Sequence, residues 1–165
     1  MFKISAKDGA LRVSWGTDEE TYELKARDEN HFRLAIAPVD FTFESSLGGP
    51  AKIVFKDGDE KPRTFEAVSA FTPTDAELKG YAGAYSSEEI DPLYEIALEN
   101  GKLMLHRLKN KPEALEAVTR DLLIGQIGSL HVTRDAKGEV DGFKLNTGRI
   151  LNMRFKKGRP AIAAR

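Results

Sequence analysis

Cysteine is absent from this chain of 165 residues. Without thiols the protein can form no disulfide framework, no cysteine-based metal site and no thiol nucleophile. The absence leaves the compartment open, because a chain without cysteine suits the cytoplasm and the periplasm equally well. The sequence therefore excludes two of the common ways in which a small domain is cross-linked or performs chemistry.

Long apolar runs are also missing. No stretch of the chain approaches the roughly 18 residues that a membrane-spanning helix needs. The first residues, MFKISAKDGALRV, lack the apolar centre of a signal peptide. Both absences predict a chain without a membrane span, although a chain that begins inside a longer protein would also lack a leader.

A surplus of positive charge is the third absence. The chain has 25 Lys and Arg against 26 Asp and Glu, which gives a formal net charge of -1. Surfaces that bind phosphate backbones usually carry a clear positive surplus. The composition therefore predicts that nucleic acid is not a partner.

The dominant pattern that is present is an alternation of apolar and polar residues with a period of two. Phe2 and Ile4 alternate with Lys3 and Ser5, as the residues of a half-buried strand do. Similar short runs predict about seven strands before residue 70. After the run at Phe2 and Ile4, these are Leu11 to Trp15, Tyr22 to Ala26, Phe32 to Ile36, Phe41 to Phe43, Ile53 to Phe55 and Phe65 to Ala67. Strand signals resume after residue 80. Strands at this spacing favour an all-β antiparallel barrel or sandwich, with the aromatic residues in its core.

One helical signal interrupts the strands. In TPTDAELKG, Thr74 precedes Glu77 by three residues, which is the spacing of a capping box. Gly80 is a plausible stop, because the position after a helix often has positive φ. The sequence therefore predicts one short helix near residues 74–79.

The chain contains an internal repeat. FKISAKDGALRV, residues 2–13, matches YEIALENGKLML, residues 94–105, in its aromatic residue, isoleucine, turn dipeptide, leucine and final aliphatic residue. Asp8-Gly9 and Asn100-Gly101 are both tight-hairpin signals. We therefore predict two β-barrel-like units, residues 1–72 and 73–165, of which the first lacks a counterpart of the strand YAGAY.

The three histidines, His31, His106 and His131, are the obvious candidates for metal ligands. Each lies in or beside a different predicted strand, and none forms a His-x-His or His-x-x-x-His pair. Such isolated histidines are typical of surface or half-buried strand positions. The sequence predicts no metal site and no cofactor.

Acidic residues form two clusters, Asp18-Glu19-Glu20 and Ser86-Ser87-Glu88-Glu89 with Asp91. A catalytic carboxylate pair needs two environments that drive the two pKa values apart. Both clusters lie in polar stretches, which indicates solvated loop charge. An autonomous enzyme that uses these carboxylates remains the least favoured alternative.

Two further features have a structural and a functional reading. SSLGGPAK, residues 45–52, lacks the Gly-Lys-Ser/Thr ending of a phosphate-binding loop and the helix that should follow, so a hairpin loop is favoured. Arg120, Arg134, Arg149 and Arg154 could bind an anionic partner. Acidic neighbours such as Asp121 and Asp135 indicate a mixed-sign surface instead.

The segment YAGAY, residues 81–85, could belong to a site or to a strand. The alternation predicts that Tyr81 and Tyr85 lie on one face of the strand that opens the second barrel, with Ala82 and Ala84 on the other face. Gly83 is then the point where a bend or a close neighbouring strand is expected.

Residues 78–107, followed after a gap by residues 129–157, resemble the lipocalin-like C-terminal region of bacterial serine hydrolases of the class C β-lactamase and penicillin-binding-protein type. The resemblance covers about 85 residues well and the first 70 more faintly, as a preceding copy. It implies tandem antiparallel lipocalin-like β-barrel units. The residues that carry it are Tyr81, Gly83, Tyr85, Gly101, Leu103, Gly138, Gly142, Phe143 and Phe155.

In that family the chemistry belongs to an upstream domain with Ser-x-x-Lys, Tyr-x-Asn and Lys/His-Thr-Gly motifs. None of these motifs is present here: Ser5 is followed by Ala6-Lys7-Asp8, and Thr147-Gly148 is preceded by Asn146. The resemblance implies a non-catalytic accessory module with no catalytic residue of its own. Its expected partner is a serine-hydrolase catalytic domain in cis or in trans, and self-association is possible.

The resemblance also implies a periplasmic or secreted protein, because such hydrolases are usually exported, and a cytoplasmic location stays open. The alternative from the binding class is a lipocalin-like carrier of a small molecule or of a peptidoglycan fragment. A barrel filled by its own side chains would argue against an apolar ligand inside it.

Overall fold

The structure, a computed structural model, describes residues 1–16, 20–45, 49–69, 71–90 and 93–158. The chain divides into two compact units, Met1–Ser69 and Ala70–Arg165, which we call the first unit and the second unit. Strands make up 58% of the chain and helix 5%. The all-β class that the sequence predicts is confirmed.

The first unit is a curled antiparallel sheet of seven strands in sequential order. Each strand is joined to the next as a hairpin, so sequence neighbours are also neighbours in the sheet. The strands are β1 (Phe2–Lys7), β2 (Ala10–Trp15), β3 (Tyr22–Ala26), β4 (His31–Leu34), β5 (Val39–Glu44), β6 (Lys52–Asp57) and β7 (Arg63–Glu66).

The second unit contains the helix α1 (Asp75–Tyr81) and a closed barrel of eight antiparallel strands. The first strand of this barrel pairs with both the second and the last, which closes the sheet. The strands are β8 (Gly83–Ser86), β9 (Tyr94–Glu99), β10 (Lys102–Arg107), β11 (Glu113–Thr119), β12 (Leu122–Gly125), β13 (Gly128–Arg134), β14 (Val140–Thr147) and β15 (Ile150–Lys157).

The repeated hairpins have the same backbone geometry. Asp8 and Gly9 have φ values of 52° and 78°, and Asn100 and Gly101 have φ values of 50° and 78°. Two consecutive residues with positive φ define the hairpin turn whose twist matches that of the flanking strands. The turn dipeptides therefore set the register of β1 with β2 and of β9 with β10.

The correspondence continues through the rest of both units. Pairs at equivalent places in the strand order are Leu11–Leu24 and Leu103–Leu115, Ala26–Phe32 and Ala117–Leu123, Phe41–Phe55 and Leu130–Leu145, and Ile53–Phe65 and Phe143–Phe155. Strands β1 to β7 thus match β9 to β15. Within the described part of the first unit, no strand corresponds to β8.

Each unit has its own core. The first unit buries Val13, Leu24, Leu34, Val39, Phe41 and Phe55. The second unit buries thirteen side chains, which are Tyr81, Tyr85, Ile96, Leu103, Leu105, Leu115, Leu123, Leu130, Val140, Phe143, Leu145, Met153 and Phe155. Aromatic and aliphatic side chains thus fill the interior of the closed barrel, as an eight-stranded barrel allows.

The short helix is confirmed, and so is its capping box. The Thr74 side chain accepts a hydrogen bond from the Glu77 amide, and the Glu77 carboxylate accepts one from the Thr74 amide. These bonds satisfy amides that the first turn leaves unpaired. They also lower the pKa of the Glu77 carboxyl, because they favour its charged form.

Three local predictions are wrong. Gly80 does not stop α1, which continues to Tyr81 and is capped by Ala82. Tyr81 consequently belongs to the helix and not to the opening strand. Ile36 was predicted at the end of a strand, but β4 ends at Leu34 and Ile36 is 69% exposed.

Candidate functional site

Tyr81 and Tyr85, the tyrosines of the YAGAY segment, lie next to each other at the start of the second unit. Tyr81 ends α1 and Tyr85 lies in β8, and each is only 1% exposed. The Tyr81 hydroxyl donates to the Arg120 carbonyl oxygen at 2.8 Å, and the Tyr85 hydroxyl donates to the Tyr81 carbonyl oxygen at 2.5 Å. The Tyr81 hydroxyl thus connects the end of α1 to the barrel backbone, and the Tyr85 hydroxyl connects β8 to the end of α1.

Burial raises the pKa of both hydroxyls. For Tyr81 the raising effect of burial exceeds the opposing effect of the Arg134 charge, and for Tyr85 burial is the cause. A tyrosine that acts as a base needs its pKa shifted down toward neutrality. Tyr81 and Tyr85 are shifted the other way, which suits neutral hydrogen-bond donors.

Arg134, in strand β13 of the barrel, contacts the region around Tyr81. Its guanidinium donates to the Asp121 carboxylate at 2.7 Å, to the Arg120 carbonyl at 3.0 Å and to the Gly138 carbonyl at 2.9 Å. It also lies 6.0 Å from the centre of the Tyr81 ring. Arg134 was predicted to be ordinary mixed-sign surface. Its side chain is only 19% exposed and is a structural anchor.

Gly83 lies where α1 passes into the barrel. Its φ is 150°, and a Cβ placed on it would lie 2.7 Å from Cε of Lys157 on β15. The Lys157 ammonium donates to the Gly80 carbonyl at 2.6 Å, and burial lowers the pKa of this ammonium. Glycine therefore allows the Lys157 side chain to cross β8 and reach the end of the helix.

Replacing Gly83 with alanine is expected to destabilise the second unit by about 2 kcal/mol, because alanine is strained at this φ and Lys157 must move. The matched control is Gly80→Ala in α1, where nothing lies within 4 Å of the new Cβ. The control should be neutral or stabilising by about 0.5 kcal/mol, since alanine favours helix. Urea denaturation measures both changes, and equal effects would contradict the argument.

The pKa shifts predict a loss of stability at alkaline pH. Since burial raises the folded-state pKa of Tyr85 above the ordinary value of 10.0, the folded state binds its proton more tightly than the unfolded state. This stability is complete below pH 10 and is lost as the pH rises through the folded pKa. Tyr85→Phe should therefore flatten the fall in the free energy of unfolding above pH 10. An unchanged pH profile would show that Tyr85 is not the cause.

The remaining motif residues lie in turns or in the core of the second unit. Gly101 and Gly138 are turn residues with φ of 78° and 82°. Leu103, Phe143 and Phe155 are each 2% exposed in the barrel interior. Gly142 lies in β14, where a Cβ would be 2.2 Å from the Phe155 carbonyl oxygen. All nine motif residues thus take part in the construction of one barrel.

The three histidines are far apart in the strand order and have separate neighbours. His31 lies near Asp40 and Asp28, at 3.4 and 3.8 Å, and His106 is 2.7 Å from the Glu99 carboxylate. His131 is 3.3 Å from the Ser129 hydroxyl. In the parts of the chain that the structure describes, no group of three potential ligands is arranged to hold a metal ion.

The second acidic cluster forms ion pairs with the last strand of the barrel. Glu88 is 3.2 Å from the Lys156 ammonium, and Glu89 is 3.8 Å from the Arg154 guanidinium. Glu88 is 89% exposed, so this pair stabilises little. Asp91, and Asp18 and Glu19 of the first cluster, lie outside the described residues.

A buried ion pair in the second unit was not predicted. Glu113, which is 7% exposed, lies 2.8 Å from the Arg107 guanidinium and accepts a hydrogen bond from the Ile127 amide at 2.9 Å. The two partners lie in β10 and β11, which are neighbours in the barrel. The only signal in the sequence was a Glu at the first inward position of a strand.

A basic cleft of about 370 Å³ lies on the first unit. Lys25 and Arg33 are direct cross-strand partners on β3 and β4, an arrangement that places like charges opposite each other. Asp40 offsets part of this charge, at 3.9 Å from the Arg33 guanidinium. The lining residues are Lys25, Arg27, Arg33, Leu34, Ala35, Ala37 and Pro38.

No protein-family model and no curated protein matches this chain. In the described residues there is no helix of sufficient length and apolar character to cross a bilayer.

Proposed function

We propose that this chain is a non-catalytic accessory β-barrel module of a serine hydrolase, which packs on or orients the catalytic domain or mediates association. The proposal rests on the structural role that the shared motif residues have in the barrel. The hydroxyls of Tyr81 and Tyr85 are both bonded to backbone carbonyls, and the pKa of each is raised. A motif devoted to barrel closure suits an appendage whose chemistry lies in another domain.

The filled interior of the second unit supports this proposal over an apolar carrier. Phe143 and Phe155 stack with ring centres 4.6 Å apart, and Tyr85 packs on Phe143 at 4.9 Å. Carriers of small apolar ligands need an interior cavity of some 300 Å³ or more. The side chains of this barrel occupy the space in which such a ligand would bind.

The test has a catalytic arm and a binding arm. The purified chain should hydrolyse a chromogenic cephalosporin and a p-nitrophenyl ester no faster than a catalytically inert control protein. Mixed with serine-hydrolase catalytic domains of the class C type that lack their own C-terminal barrels, it should form a complex in size-exclusion chromatography with light scattering. Enzyme-like turnover by the chain alone, or binding to none of the domains, would overturn the proposal.

The proposed location is the periplasm or the cell exterior, where hydrolases of this type work. Localisation of a tagged full-length protein by fractionation tests this part. Recovery of the protein in the cytoplasmic fraction alone would contradict it.

A small anionic ligand is the second candidate partner, and the basic cleft favours it. Lys25, Arg27 and Arg33 line this cleft, with the Asp40 carboxylate 3.9 Å from Arg33, and a peptidoglycan fragment carries carboxylates that could pair with these cations. Titration with a muramyl dipeptide should perturb the NMR signals of β3 and β4. Lys25→Ala with Arg33→Ala should abolish the response, whereas Lys111→Ala in the second unit should not. A response that survives the double substitution would exclude the cleft.

A further inference from the structure

The two ends of the closed barrel in the second unit differ in construction. At one end α1 packs on the barrel, and the Tyr81 hydroxyl bonds to the Arg120 carbonyl in the turn between β11 and β12. The opposite end is formed where β8, β10, β12 and β14 finish and where β9, β11, β13 and β15 begin, because neighbouring strands are antiparallel. This second end has no helix packed on it in the described residues.

The exposed large apolar side chains of the second unit all lie at the end opposite α1. Within the described residues they are Leu93 before β9, Leu108 after β10, and Ile150 and Leu151 at the start of β15. Their exposed fractions are 36%, 81%, 47% and 69%. Strands β15, β8, β9 and β10 are successive neighbours in the barrel, so these side chains occupy one arc of it. We call these four residues the apolar rim.

The fold itself does not require apolar residues in such turns. The turn between β14 and β15 corresponds to the turn between β6 and β7 in the first unit. That turn, residues 58–62, has the sequence Gly-Asp-Glu-Lys-Pro and is exposed without any large apolar side chain. Exposed apolar residues that a fold does not need commonly mark a surface that binds something.

Cations lie beside the apolar residues in both hairpin turns of the rim. Lys109 and Lys111 follow Leu108, and Arg149 precedes Ile150. These three cations are exposed, and none of them forms an ion pair in the part of the chain that the structure describes. Each turn therefore combines an exposed aliphatic side chain with unpaired positive charge.

Most carboxylates described at this end are already paired. Glu88 and Glu89 form ion pairs with β15, and Glu113, at the start of β11, lies 2.8 Å from the Arg107 guanidinium. Glu95 lies one position further along β9 and faces β10 in the register of the two strands. Positive charge therefore exceeds negative charge among the described residues of this end.

We propose that the apolar rim, together with Lys109, Lys111 and Arg149, docks the protein on the surface of an anionic phospholipid bilayer. The aliphatic side chains enter the boundary between headgroups and acyl chains, and the cations contact lipid phosphates. Long Lys and Arg side chains can reach the headgroups while their apolar neighbours insert. This inference does not rest on the proposed function, because the rim can bind a bilayer with or without a catalytic domain.

The composition of the rim favours a bilayer over a protein. Its exposed apolar residues are all aliphatic and come from three separate segments, whereas protein interfaces concentrate binding energy in aromatic and arginine side chains packed at a centre. A bilayer needs no complementary shape and offers both an apolar phase and negative charge. A symmetric contact between two copies of this chain would bring the cations of both rims together, which is unfavourable.

The test is sedimentation of the full-length chain with lipid vesicles. We expect binding to phosphatidylcholine vesicles that contain about one third phosphatidylglycerol, and binding at least about tenfold weaker to pure phosphatidylcholine. About 0.5 M salt should weaken binding to the anionic vesicles, because salt screens the attraction between exposed charges. Equal binding to both kinds of vesicle, or no binding to either at low salt, would overturn the proposal.

The apolar contribution is tested by replacing exposed aliphatic residues with serine. Leu108→Ser with Leu151→Ser should weaken binding to anionic vesicles about tenfold or more, because the apolar area that enters the bilayer is lost. The matched control is Ile36→Ser with Val68→Ser in the first unit, where both residues are also exposed. The control should bind as the wild type does, and equal effects of the two pairs would count against the rim.

The charge contribution is tested by replacing the three cations beside the rim with glutamine. This triple variant should lose the preference for anionic over neutral vesicles. The control makes the same change of charge at the end of the barrel where α1 packs, through Lys79→Gln, Lys102→Gln and Lys137→Gln. The preference should survive in the control, and its survival in both variants would contradict the proposal.

A fluorophore reports the orientation of the bound protein. Because the chain has no cysteine, Leu151→Cys and Lys137→Cys each give a single labelling position, one at each end of the barrel. With anionic vesicles, the emission of an environment-sensitive label should shift to shorter wavelength at position 151 and should not shift at position 137. The reverse pattern would overturn the proposed orientation.

Two further results would assign the rim to another occupant. Dimerisation in light scattering that Leu108→Ser with Leu151→Ser abolishes, without binding to vesicles, would identify a second copy of this chain. Binding of polyglutamate without binding to vesicles would identify an acidic protein. Either result would overturn the proposal.

Discussion

Gly142→Ala is expected to destabilise the second unit by about 3 kcal/mol, the largest effect of any single methyl group considered for this protein. The new Cβ would lie 2.2 Å from the Phe155 carbonyl oxygen and 3.1 Å from the Thr133 hydroxyl. A backbone oxygen cannot turn away as a flexible side chain can. The pairing of β14 with β15 must therefore shift or open, and it is one of the two seams that hold the last strand in the barrel.

The control for Gly142→Ala is Gly138→Ala in the turn between β13 and β14. Gly138 has a φ of 82°, so alanine is strained there, but nothing lies within 4 Å of the added Cβ. This control should cost about 1 kcal/mol. Urea denaturation followed by the NMR signals of β14 and β15 separates the two, and a cost at Gly142 no larger than at Gly138 would refute the close contact as the cause.

Phe155→Ala is expected to cost about 4 kcal/mol, and the same change at its counterpart Phe65 about half as much. Phe155 is 2% exposed and contacts both Phe143 and Tyr94 with ring centres 4.6 Å away. Its removal leaves a cavity in a closed barrel, which cannot collapse easily. Phe65 is half-buried in the open sheet of the first unit, so its removal creates a smaller cavity and loses less buried apolar area.

The costs of Phe65→Ala and Phe155→Ala can be measured in the same protein, because the unfolding of each unit has its own spectroscopic reporter. Trp15, the single tryptophan, lies in β2 and reports unfolding of the first unit by fluorescence. Exchange of the amides of β14 and β15 reports the second unit. The predicted difference between the two positions would be contradicted if Phe65→Ala cost as much as Phe155→Ala.

Local signals in the sequence predicted most of the elements. The alternation of Phe2 with Lys3 and of Ile4 with Ser5 specifies strand faces, and Asp8-Gly9 specifies a turn with two positive φ values. The capping box at Thr74 likewise needs only residues within one helical turn. Such features are predictable because the interacting groups are close in the chain.

The errors occurred where a distant contact overrides local preference. Gly80 is a usual stop signal, yet α1 continues to Tyr81 because the hydroxyl of that residue reaches the Arg120 carbonyl inside the fold. Lys157 supplies a further bond to the Gly80 carbonyl from a strand 77 residues away. No residue near Gly80 in the sequence indicates either contact.

The sequence by itself determined the strands, the hairpin turns, the capped helix and the duplication, since each depends on side-chain alternation or on turn geometry over a few residues. The sequence also indicated that the first unit lacks the opening strand, but only the tertiary structure decided that the second unit closes into a barrel. The second repeat closes because β8 pairs with β9 and β15, whereas the described residues of the first unit form an open sheet of seven matching strands. Closure depends on hydrogen bonds between strands that are far apart in the chain, and an alternating pattern is the same whether its strand has one neighbour or two.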